Sequence, residues 1–500
     1  MNEHKIKMNR VIIILCFICS ISLTNILAQD EAKKIDQLIQ TYYDLHQFSG
    51  SVLIAKNGKI ILEKGYGYAN LELNVLNNVN TKFRIASLTK QFTAMLIMQL
   101  KQSGKLNLTD PISTFLPYYR KDVGNKVTLH QLLTHTSGIP DYTNRPDFFI
   151  ELALQNYPPD EFVEKFCSDN LQFEPGTKYN YSNSEYYILG TIIESVTKKP
   201  YAEVLKENIL NVIGMNNTGI DIPEELLKNR ANGYNYNYGS YTNAEYINMS
   251  SSIYAAGGIY STVEDLLLWD EALYGEDLLS NENKNIMFTP YLNKYAYGVV
   301  VNRTSIQGIN HDVTFMIHTG GINGFRSIML REIEEKEVII LLSNLVLNNN
   351  FNNDLNPISN RIFSILHGLD YETPKPFIGS VIGERTYNGS VEKAIAFFYQ
   401  VKLQNKDKYD FTNLETELNA LGYSLLAKQR TKDAVAIFKL NTEEFPNSWN
   451  AFDSYAESLL KDGQKENAIR NYKHSLDLNS GNINATEQIK ILESDNKNNK

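Results

Sequence analysis

Strand-like sequence stands at both ends of residues 30–370, with mainly helical sequence between, and this arrangement constrains the fold more than any other feature. It calls for one sheet closed by distant parts of the chain, with the intervening helices laid against it. The first strand-like run, Gly50–Ala55, is followed by Asn57-Gly58 and then by Lys59–Glu63. Asn-Gly supplies the positive φ angles of a two-residue hairpin turn, so these runs are predicted to pair. A helical pattern over Lys33–Leu45 precedes them. From Ser87 to about Leu279 the reading is helical with Gly, Pro and Asn interruptions, and helices are predicted over Leu88–Lys101, Glu185–Thr197 and Val263–Leu273. Strands return near Tyr297–Asn302, Phe325–Arg331 and Val338–Leu342, before an amphipathic helix near Leu355–His367. The expected fold class is α/β (α+β), with a functional cleft where sheet and helices meet.

The two ends of the chain read differently. Lys5, Lys7 and Arg10 precede an apolar run over Val11–Leu27, and Ala28 offers a small residue for cleavage, so residues 1–28 are read as a signal peptide. The mature protein is then expected to be secreted or periplasmic. Tyr371–Gly389 is rich in Pro and Gly and is read as a linker (371–389). Over 390–490 the sequence repeats with a spacing of 34 residues: Leu425 matches Leu459, Ala434 matches Ala468, and Phe438 matches Tyr472. This period resembles tetratricopeptide repeats, stacked helix pairs that offer a groove to a protein partner; a plain helical cap is the alternative. The polar end, 491–500, is predicted to be disordered.

Charge and cysteine usage exclude several classes. The net charge of −9 becomes −11 without residues 1–28, which hold Lys5, Lys7 and Arg10 against Glu3 alone, and an acidic chain is a poor binder of nucleic acid. Cys167 would be the sole cysteine left, and its helical surroundings predict a buried structural thiol. The eight histidines are scattered and no cluster has metal-ligand spacing, so neither metal nor cofactor is expected.

Chemistry enters with serine and lysine. A serine hydroxyl needs a neighbouring base to attack a carbonyl, and Ser-x-x-Lys on a helix provides one, because residues three apart share a face. The pattern occurs at Ser87/Lys90, Ser195/Lys198, Ser390/Lys393, Ser458/Lys461 and Ser494/Lys497. Only Ser87 opens a long apolar helix, where the helix N-terminus favours developing negative charge. Tyr-x-Asn is equally common, at Tyr68, Tyr142, Tyr241, Tyr246, Tyr291 and Tyr181. Tyr181 and Asn183 differ in following the turn Glu174-Pro175-Gly176 and preceding a helix, although a merely buried tyrosine fits there too. The third element is His318-Thr319-Gly320-Gly321 after apolar Phe315–Ile317; glycines at a strand edge let a substrate backbone approach closely.

In this order and at about these separations, the three elements resemble the serine β-lactamase and penicillin-binding-protein superfamily. The likeness is greatest to the class C β-lactamase-related branch, with its D-alanyl-D-alanine carboxypeptidases, D-aminopeptidases and esterases. Leu132–Pro140, Ala256–Thr262 and Gly65–Ala69 agree with that branch, and the resemblance spans about Ile35–Leu366. It implies a β-lactamase/transpeptidase-like fold, an antiparallel sheet flanked by helices with a mainly helical insertion, followed here by an all-α module. It further implies Ser87 as the acylated nucleophile, Lys90 and Tyr181 as a general-base and proton-relay network, and Asn183 as a contact to the substrate's amide. His318 and Thr319 would contact a substrate carboxylate or relay a proton, Gly320 would leave room for substrate, and the N–H groups of Ser87 and Gly321 would form the oxyanion hole. Class C β-lactamases proper carry lysine where this chain has His318, a weaker holder of carboxylates. The expected function is a serine hydrolase of a small ester, amide or D-amino-acid peptide. The alternatives are a cell-wall carboxypeptidase or β-lactamase, and a repeat-bearing binding protein with a vestigial hydrolase domain.

Overall fold

The computed structural model describes residues 29–347 and 355–498; the expected signal peptide and the last two residues of the tail lie outside them. The chain forms two compact units. The first takes in the chain up to Tyr234, Asn243–Leu345 and the segment ending at Glu372; the second contains Asn235–Thr242 and the chain from Thr373 onward.

In the first unit a six-stranded antiparallel sheet joins the two ends of the chain. Its order is Val300–Ser305, Asp312–Ile322, Phe325–Glu332, Glu337–Ser343, Gly50–Lys56 and Lys59–Tyr66. Gly50 stands opposite Ser343 and Lys56 opposite Glu337, so the closure expected from the sequence is made by strands far apart in the chain. Strand side chains alternate between faces. Leu53, Ala55, Met329, Ile340 and Leu342 enter the larger core, which the helical insertion covers. Val52, Ile54, Ile328, Leu330 and Leu341 enter a second core under the helices at residues 29–44 and Asn356–Leu366. Covering on both faces explains why these strands read as continuous apolar runs.

The insertion is organised around the helix Thr89–Gln102, nearly all of which is buried. Phe92 stacks on Trp269 at 4.3 Å, and Thr93 Oγ1 donates to the Ala255 carbonyl at 2.7 Å. Just before this helix, Phe83–Arg84 pairs with Ile259–Ser261 and Ile85 N–H donates to the Ile259 carbonyl at 3.0 Å. The helix start is thereby tied down on its upstream side. Cys167 is buried at the end of the helix Pro159–Phe166.

The second unit is helical apart from short strands. Its helices include Ile378–Asn388, Val391–Gln404, Leu414–Ala427, Thr431–Glu444, Trp449–Lys461, Lys465–Leu478 and Ile483–Asn498. The stretch read as a linker thus contains a helix, and the last helix runs into the polar tail read as disordered. The glycines responsible for the linker reading serve close packing: a Cβ on Gly383 would lie 1.9 Å from the Tyr238 ring, and one on Gly379 would lie 2.4 Å from Glu417. The positions matched at 34-residue spacing, Leu425/Leu459, Ala434/Ala468 and Phe438/Tyr472, are all buried.

Candidate active site

Ser87 lies in a single 3-10 turn, Ala86–Leu88, that runs straight into the helix Thr89–Gln102. Ala86 has a φ of 46°, an unfavourable backbone for a residue with a Cβ, and such strain persists only where surrounding contacts fix it. Here Ser327 Oγ donates to the Ile85 carbonyl at 2.7 Å, and the strand bearing Gly320 presses against the turn. A Cβ on Gly320 would fall 2.3 Å from the Ile85 carbonyl oxygen, so glycine is required for this approach.

One helical turn on, Lys90 is fully buried beneath Ser87, with Nζ 3.3 Å from Ser87 Oγ. The same ammonium donates to Asn183 Oδ1 and to the Ala256 carbonyl, each at 2.8 Å. Tyr181 OH donates to Ser87 Oγ at 2.9 Å, and its ring lies 4.8 Å from Lys90 Nζ. Burial lowers the Lys90 pKa to about 7, although Asp141 and Glu185 pull the other way. Burial also pushes the Tyr181 hydroxyl far above its ordinary value, so it stays protonated. This balance suits the chemistry. A neutral amine keeps two hydrogens, and Asn183 Oδ1 and the Ala256 carbonyl accept both. The lone pair is left for the Ser87 hydroxyl.

Asn183 is fully engaged inside the protein, since its Nδ2 donates to Asp141 Oδ2 at 3.0 Å and to Thr143 Oγ1 at 3.2 Å. It begins the helix Asn183–Thr197 and positions Lys90. His318 is buried. Its Nδ1 donates to the Thr319 carbonyl at 2.7 Å, and its Nε2 faces the Tyr295 hydroxyl at 3.0 Å. Burial, helped by Lys90, lowers the His318 pKa to about 4, which leaves the ring neutral with both nitrogens occupied. Thr319, Gly320 and Gly321 belong to a strand edge. Val300–Ser305 pairs only as far as Ile317, so His318–Ile322 have a partner strand on one side alone. Gly321 reaches the cavity that Ser87 lines.

The other Ser-x-x-Lys serines have structural partners: Ser195 Oγ donates to the Phe115 carbonyl, Ser390 caps a helix, and Ser458 and Ser494 donate to carbonyls of their own helices. Two further residues at the site had no role in the sequence reading. His135 and Glu185 form a buried pair, with Glu185 also accepting from Ser137 N–H at 3.1 Å, and the His135 ring lies 4.3 Å from that of Tyr181. Burial raises the Glu185 pKa and lowers that of His135, each shift opposing charge within the pair. The signal for His135 lay in Leu132–Pro140, a stretch that carries the family likeness. Away from the site, Glu335, Glu337 and His367 bring three ligand atoms within 4.8 Å, but Lys56 bridges the two carboxylates and supplies the positive charge there.

The beta-lactamase family model matches residues 35–359, well over half of the chain. This chain belongs to the beta-lactamase family. Penicillin-binding protein 4* of Bacillus subtilis is 29% identical over 469 residues, covering 88% of this chain and 99% of its own. That share is larger than residues up to Glu372 can supply, so the likeness extends into the helical unit. The FmtA structure from Staphylococcus aureus is 26% identical with a TM-score of 0.56, over 67% of this chain and 87% of that one. D-amino acid amidase from Ochrobactrum anthropi SV3, complexed with L-phenylalanine, is 25% identical with a TM-score of 0.57, over 68% of this chain and 98% of that one. The family is one of serine hydrolases related to penicillin-binding proteins.

Proposed function

We propose that this chain hydrolyses a small ester, amide or D-amino-acid peptide by two-step acyl transfer, with Ser87 as nucleophile. The observation that carries the reading is the placement of Ser87 Oγ between Lys90 Nζ at 3.3 Å and Tyr181 OH at 2.9 Å. Neutral Lys90 takes the Ser87 proton as Oγ bonds to the substrate carbonyl carbon. The N–H groups of Ser87 and Gly321 steady the charge that develops on the carbonyl oxygen. Tyr181 passes a proton to the departing alcohol or amine and is reprotonated from Lys90. Water then attacks the acyl-enzyme along the reverse relay, and Ser87 is restored. Asn183 serves by holding Lys90 in place. The likeness to a D-amino acid amidase supports amides among the substrates.

Among the related activities, a class C-like carboxypeptidase or β-lactamase is the second reading, favoured by the likeness to penicillin-binding protein 4*. A neutral His318 with both nitrogens engaged weighs against it, since it presents no cation to a substrate carboxylate. We further propose a signal peptide over residues 1–28 with export to the periplasm or beyond, and a tetratricopeptide-like groove for a protein partner in the second unit. Intact-protein mass spectrometry after exposure to a fluorophosphonate and to a labelled penicillin tests the catalytic reading, with Ser87→Ala as control. Phosphonylation of Ser87 without penicillin adduct supports it. Labelling by both moves the assignment to the second reading, and labelling by neither removes the hydrolase. Ser87→Ala is expected to abolish labelling while leaving the melting temperature within a few degrees.

A further inference from the structure

We propose that the cavity beside Ser87 selects substrates whose acyl group is uncharged and apolar, an inference that rests on Ser87 being the nucleophile. The cavity holds about 280 Å³, and among the described residues that line it there is no Asp, Glu, Lys, Arg or His. Its apolar surface comes from Phe148, Ile253, Ala256 and Ile322 and from the ring of Tyr142. Two of the polar side chains that border this surface are committed elsewhere. Tyr142 OH donates to the Ser252 carbonyl at 2.6 Å, and Asn183 has its oxygen on Lys90 and its nitrogen on Asp141 and Thr143.

Three charged side chains stand behind the lining, each held by a partner of its own. Asp141 accepts from Asn183 Nδ2 and from Thr143 N–H, and Arg326 Nη1 donates to the Ile322 and Phe325 carbonyls. Lys90 lies beneath Ser87. A charged acyl group entering the cavity would shed water against a lining that carries no opposite charge.

The walls are also braced against rearrangement. Ser252 Oγ donates to the Leu152 carbonyl at 2.7 Å, Asn248 N–H to the Ala153 carbonyl at 2.8 Å, and Tyr157 N–H to Ser251 Oγ at 2.8 Å. The segments bearing Phe148 and Ile253 are tied together by these bonds, so the cavity is preformed and an apolar acyl group fills it at little reorganisation.

The test compares three 4-nitrophenyl esters with one leaving group and acyl chains of similar length: butyrate, hemisuccinate and 4-aminobutyrate. With the full-length protein, kcat/KM for the butyrate is expected to exceed that for either charged ester by about 100-fold or more. Ile253→Lys is expected to lower the butyrate rate and raise the hemisuccinate rate relative to it. Rates equal within about threefold, or a preference for a charged ester, would overturn the proposal. So would phosphonylation of Ser87 by a fluorophosphonate with no turnover of any ester. Failure of Ser87 to react with every ester and with the fluorophosphonate removes instead the catalytic reading on which the proposal stands.

Discussion

Lys90 shows how burial sets both activity and stability at a single position. Its folded pKa of about 7 lies below the ordinary 10.5, so the unfolded chain binds the proton more tightly than the folded one. Stability is reduced by about 5 kcal/mol below pH 7, and this penalty fades as the pH rises from 7 towards 10.5. Two outcomes are expected. Acylation of Ser87 rises with pH through about 7 and then levels, read from the pH dependence of kcat/KM. Lys90→Met abolishes acylation yet unfolds at no lower denaturant concentration than the parent at pH 6. The pair His135 and Glu185 belongs to the same scale. Glutamine keeps the size of Glu185 and can still accept from Ser137 N–H and face His135, so Glu185→Gln is expected to keep most activity. His135→Ala removes the surface against which Tyr181 rests, and kcat is expected to fall about 10- to 100-fold with KM little changed. Ser87, Lys90, Tyr181 and Asn183 could be picked out from their sequence surroundings and do meet. Asn183 could not be seen to be engaged with Lys90, Asp141 and Thr143, because all three reach it through folding.

Elements are held in place by polar contacts that periodicity does not reveal. Arg331 lies on the strand Phe325–Glu332, which is buried along its whole length, and pairs with Asp270 on the helix Val263–Ala272. Both side chains are about 95% buried, and Arg331 Nη2 also donates to the Asp270 carbonyl at 3.3 Å. Removing one partner strands the other charge. Asp270→Ala is therefore expected to destabilise by about 3–5 kcal/mol, measured by chemical denaturation, with activity per folded molecule retained. The strands over residues 50–55, 325–331 and 338–342 were legible because apolar, β-branched runs between two cores have few other uses, and Lys59–Glu63, at the sheet edge, was legible from the Asn-Gly turn before it. The strand Asp312–Ile322 was harder to see whole. Its His318-Thr319-Gly320-Gly321 end breaks the apolar pattern, because Gly320 answers to the Ile85–Ser87 turn and not to a core.

At the scale of the whole molecule the chain enters the second unit early, at Asn235–Thr242, long before its C-terminal helices. Tyr238 from that segment is buried with Ile378 and Ile382 and stacks on Tyr387 at 5.7 Å. Deleting residues 373–500 is therefore expected to expose Tyr238 and to yield an aggregation-prone protein, detectable by light scattering. Gly383→Ala, which drives a Cβ into the Tyr238 ring, is expected to destabilise the second unit by about 1–3 kcal/mol. In a double-mutant cycle Tyr238→Ala should relieve that strain. The sequence by itself determined the closed sheet, the helical insertion, the helical C-terminal part and the serine around which the site is built. Each of these follows from local pattern, from periodicity, turn chemistry and the spacing of a serine and a lysine on one helix face. Tertiary structure alone decided that Asn183 is committed to Lys90, Asp141 and Thr143, that His318 is neutral and enclosed, that the cavity lining is uncharged, and that glycines read as a linker are packing sites. Those properties depend on which side chains from distant segments share a buried space. Burial and partnership then set their charge.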